Sequence, residues 1–127
     1  MLDERPTAAE LVAAVAEFLE REVLAALDGR IAFHTKVAAN ALRIVERELT
    51  SGPAVAAAEL ARLRTLTGAD GDLPTLNAVL AGKIRDGSIV DDALRDHLVR
   101  SALSRLAIDN PRYPSLADAA ERWPDAH

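Results

Sequence analysis

The 127-residue chain has no cysteine, which excludes a disulfide framework, a thiol nucleophile and a thiolate zinc site. Aromatic residues are nearly as scarce: Phe18, Phe33, Tyr113 and Trp123 are the whole set. The aromatic pairs that stabilise sheets are therefore in short supply. No window approaches the roughly eighteen uninterrupted apolar residues of a membrane span, and the opening MLDERPT carries no apolar run of the signal-peptide kind. Cytoplasmic residence without membrane association is the expectation. The net charge of -5 and pI near 5.1 give an acidic surface that repels phosphate backbones, so nucleic acid is not an expected partner.

What the chain has in abundance is alanine, the strongest helix former and one that lets helices approach closely. Half the residues are apolar and 28% are charged, the balance of an ordinary globular protein. The length fits one domain, so residues 1–127 are expected to form a single helical domain.

Helical spacing supports this. Pro6, Thr7 and Glu10 make a capping-box start, followed by Leu11, Val15, Phe18, Leu19 and Ala26 on one face up to Asp28 and Gly29. A second helix is expected from about Arg30 to Thr50, with Phe33, Val37, Ala41, Ile44 and Val45 inward, ended by Ser51, Gly52 and Pro53. A third runs from about Pro53 to Thr67 and a fourth from Asp72 to about Asp86. A fifth spans about Asp91 to Asp109, and a short last one has Ser115 and Asp118 in capping-box register. No stretch alternates convincingly as a strand. The predicted fold is an all-α, up-and-down bundle of five to six helices.

Three titratable residues fall on expected apolar faces at about 100° per residue: Glu22 on the first helix, His34 on the second and Asp109 on the fifth. Asn40 lies at the edge of the His34 arc, and Arg105 stands one turn before Asp109. Buried polar groups must find partners or line a solvated cleft. The set therefore reads either as a packing network or as a site with His34 as proton carrier or ligand and Glu22 or Asp109 orienting it. Asn110, Arg112 and Tyr113 cluster just beyond, where Asn-Pro ends the helix and Arg112 and Tyr113 are expected to pack the tail back. His97 and His127 read as solvated.

Other chemistry finds no pattern. Paired Glu-x-x-His motifs for a di-metal bundle are missing, the serines lack a G-x-S-x-G elbow, and GADGD has neither the spacing nor the lysine of a phosphate loop. No catalytic residue, metal or cofactor is assigned, although a metal held by His34, Glu22 and Asp109 is the conceivable exception.

EFLEREVLAAL at 17–27, FHTKVAANALRIVERE at 33–48 and LRDHLVRSALSRLAIDNPRY at 94–113 resemble the three blocks of the DUF6285 domain family of small bacterial proteins. No activity is established for that family. Its members tend to be encoded beside an aminoglycoside phosphotransferase-like protein and an acyl-CoA dehydrogenase. The resemblance thus implies an accessory protein with one of these as partner. A non-enzymatic interaction protein, with a homodimer among its forms, is the first functional expectation. A ligand-binding protein or enzyme built on His34, Glu22 and Asp109 is the second.

Overall fold

A computed structural model describes residues 4–123. Five α-helices carry the fold: α1 (Ala8–Phe18), α2 (Gly29–Thr67), α3 (Leu73–Arg85), α4 (Asp92–Asp109) and α5 (Leu116–Arg122). Among the described residues there is no strand, and no helix is long and apolar enough to cross a membrane. The all-α expectation holds. The chain divides into two compact units, Met1–Gly52 and Pro53–His127, and α2 contributes to both.

In the first unit, Thr7 caps α1 by accepting the Glu10 amide at 3.1 Å, as the capping box predicts. The expected single helix to Asp28 continues past Phe18 as a π-helical turn, Leu19–Val23, and a 3₁₀ turn, Leu24–Ala26. Gly29 takes φ +64°, a left-handed value that suits a residue without Cβ, and α2 begins there.

The expected break at Ser51, Gly52 and Pro53 does not occur; α2 runs through all three. A proline inside a helix removes one amide donor and crowds the preceding turn. One local feature eases the strain. Gly52 has no Cβ to clash with the proline ring, which relaxes the restriction on the residue before proline.

In the second unit, the core is Leu63 from α2, Leu76 and Leu80 from α3 and Leu94 from α4, with Leu60, Leu66, Leu73 and Ile89 packed around it. Sharp turns between the helices bring these leucines together. Gly68, at φ +65°, closes α2 by donating to the Arg64 carbonyl at 3.0 Å. Asp72 and Asp91 then cap α3 and α4, accepting the amides of Thr75 and Leu94, each at 2.9 Å. Both starts match the sequence reading. Ser115 precedes α5 as expected, but its backbone is already helical and its hydroxyl makes no capping bond.

Candidate functional site

Helix α4 presents Leu94, His97, Ser104 and Ile108 to the interior of the second unit, with Ser101 partly buried on the same stripe. The spacing alternates three and four residues, which keeps one face of a helix inward. His97, expected on the solvated flank, is only 3% exposed. Its Nδ1 accepts the Nε–H of Arg62 on α2 at 3.0 Å, and an Nη2–H of Arg62 reaches Ser101 Oγ at 3.1 Å. His97 and Ser101 stand one turn apart, so together they occupy the side edge of the guanidinium fork.

This contact fixes the protonation state. Arginine is a permanent donor, so the ring nitrogen it meets must be unprotonated, and the imidazole proton sits on Nε2. Burial, together with the neighbouring Arg62 charge, holds the His97 pKa below its ordinary value, in agreement with a neutral ring. Burial likewise lowers the Arg62 pKa. Arg43 has the opposite electrostatics: it donates to Glu20 at 2.7 Å and to Glu46 at 3.0 Å, and its pKa is raised by those carboxylates.

Beside Arg62 and His97 lies a cleft of about 320 Å³, lined also by Ala61, Thr65, Leu66, Ala93 and Asp96. Arg100 holds Asp96 in an ion pair at 2.8 Å, and the Thr65 hydroxyl donates to the Ala61 carbonyl at 3.2 Å.

The residues singled out from the sequence lie elsewhere. His34, Glu22 and Asp109 are all exposed, so none of the three faces inward as expected. The cause is which face of α2 is used. The first unit buries the alanine side, Ala16 on α1 and Ala39 on α2, at 0% and 1% exposure. His34 lies about 140° round the helix from Ala39 at 100° per residue. Its ring instead meets Phe33 edge-on, with centroids 5.6 Å apart. Asp109 is bonded by Arg105 at 2.7 and 3.0 Å, the local pair expected from the sequence. Asn40, Asn110, Arg112 and Tyr113 are exposed as well, and Tyr113 does not pack the tail inward. Among the described residues no group of three or more His, Cys, Asp or Glu side chains is placed to hold a metal ion. His127 lies outside the described residues.

The same choice of faces leaves large apolar side chains outside. Leu11, Val15 and Phe18 form an exposed stripe on α1, and Phe33, Val37 and Val45 another on α2, with Phe33 the most open at 63%. The expectation that these residues form the core is corrected: among the described residues of the first unit the buried side chains are alanines, and these bulky ones stay exposed.

The sequence profile of the family described as "Domain of unknown function (DUF6285)" matches residues 25–113. The chain belongs to this family. The DUF6285 match takes in the whole of α2, α3 and α4, and with them Arg62, His97 and Ser101. No curated protein and no solved structure matches the chain.

Proposed function

We propose that this DUF6285 member is a non-enzymatic interaction protein whose N-terminal unit pairs with a second copy of itself. One observation carries the reading: among its described residues the unit fully buries only alanine, while both of its phenylalanines stay more than half exposed. A hairpin of some fifty residues has too little core to stand alone. Nine side chains of this unit, the two stripes together with Leu27, Ile31 and Leu49, are roughly half exposed. At ~150–200 Å² for a large apolar side chain they offer on the order of 700–800 Å², close to the ~800 Å² each partner contributes to a stable interface.

Two hairpins meeting through such faces complete a four-helix bundle with an isologous interface, the commonest route to a dimer. The phosphotransferase-like and acyl-CoA dehydrogenase-like proteins implied by the family resemblance are the competing occupants.

Sedimentation equilibrium tests the proposal. The wild type is expected at twice the 13.6 kDa chain mass at micromolar concentration, and Phe33→Glu and Val37→Glu as monomers with helical circular dichroism retained. A wild-type monomer, or dimers that both variants leave intact, would overturn it. A monomer that forms a stoichiometric complex with one of the two enzyme types would transfer the face to that partner.

A further inference from the structure

Five arginines of the described chain meet a carboxylate closely: Arg21 with Glu17, Arg43 with Glu20, Arg64 with Asp70, Arg100 with Asp96 and Arg105 with Asp109, at 2.7–3.1 Å. Arg62 does not. Its only hydrogen bonds among the described residues go to neutral acceptors, His97 and Ser101. A partly buried cation without an anionic partner is costly, and an incoming anion relieves that cost.

The donors that remain face open space. His97 and Ser101 use the side edge of the guanidinium, so the end edge, Nη1 with the second hydrogen of Nη2, has no bond from the described protein. The Nε2–H of His97 has none either. Because among the described residues no fully buried side-chain nitrogen or oxygen lacks a partner, both Nη1 and Nε2 keep contact with the space outside, and the cleft is the space these two side chains line. We propose that this cleft binds a small organic carboxylate with a short apolar body, its oxygens held by the end edge of Arg62 and by Nε2–H of His97.

The walls select for that chemistry. A planar carboxylate matches the guanidinium fork, while Ala61, Leu66 and Ala93 offer an apolar bed to the rest of the molecule. A dianion such as phosphate meets Asp96 on the cleft wall and the field of nearby Glu59, both of which act on Arg62. At about 320 Å³ the cleft sits at the small end of ligand sites.

Titration with benzoate, followed in ¹H–¹⁵N spectra, tests this, with neutral benzamide and inorganic phosphate as parallel arms. Benzoate is expected to shift the Arg62 Nε–H and His97 Nε2–H resonances saturably, and benzamide and phosphate to leave them unmoved. Arg62→Gln should weaken benzoate binding at least tenfold. Ala61→Leu and Ala93→Leu fill the cleft from exposed positions, so they test the proposal even where Arg62→Gln fails to fold, and each should abolish the shifts. No saturable shift with benzoate, equal binding of benzamide, a preference for phosphate, or unchanged binding in the filled variants would each overturn it.

Discussion

The Nε–H of Arg62 donates to Nδ1 of His97 over 3.0 Å, joining α2 to α4 through a neutral imidazole. The pair couples the state of the ring to the stability of the second unit. Replacing His97 with alanine removes the acceptor, strands a partly buried guanidinium donor and opens a cavity. The expected loss is about 2–4 kcal/mol, read from chemical denaturation. His34→Ala, on an exposed position, is expected to stay within about 0.5 kcal/mol of wild type.

The same neutral ring sets a pH dependence. Its folded pKa lies below the ordinary value of 6.5, so between 6.5 and that lower value the unfolded chain binds a proton the native state refuses. Stability therefore falls as pH drops below 6.5 and is fully present above it. The charges around the ring act in both directions: Arg62 on α2 opposes its protonation, while Glu59 on α2 and Asp96 on α4 favour it. Denaturation midpoints between pH 7.5 and 5 should decline for wild type and flatten in His97→Leu. A wild-type profile that stays level over this range contradicts the assignment.

Two glycines are expected to respond in opposite senses to alanine. Gly82 lies inside α3 with open space where a Cβ would project, so Gly82→Ala should stabilise by about 0.5–1 kcal/mol. Gly68 holds φ +65° after the last turn of α2, and Gly68→Ala should cost about 1 kcal/mol or more. Thermal melts of the two variants give the comparison.

Asp72 and Asp91 cap their helices through their carboxylates, and bonding to Thr75 lowers the Asp72 pKa. Each Asp→Ala change is expected to destabilise its helix start and lower the thermal midpoint. The loss at Asp72 should fade as pH falls through the carboxylate range, where the wild-type cap is itself protonated.

Helix content was legible because periodicity and helix starts are local: Thr7, Asp72 and Asp91 each announce a helix start, and each accepts the amide three residues on. The continuity of α2 was hidden because Gly-Pro ordinarily ends a helix, and the relief Gly52 offers Pro53 weighs less in a sequence reading than proline itself. Which face packs is a tertiary choice. A helical wheel assigns the larger apolar arc to the interior, and in the first unit alanine reversed that choice. In α4 the apolar residues spread around the whole helix, so the wheel gave no clear direction. The three-four spacing of Leu94, His97, Ser101, Ser104 and Ile108, apolar at both ends, was the available signal for His97.

The buried alanines of the first unit constrain how the sequence can drift. Ala16 and Ala39, at 0% and 1% exposure, leave no free space for a larger side chain, so these positions tolerate little beyond glycine or serine. At Phe33 and Val37 a solitary molecule would accept polar residues freely. A deep mutational scan therefore separates the two forces that preserve this surface: intolerance confined to the alanines reports packing within one chain, whereas intolerance extending to Phe33 and Val37 reports selection by whatever covers them.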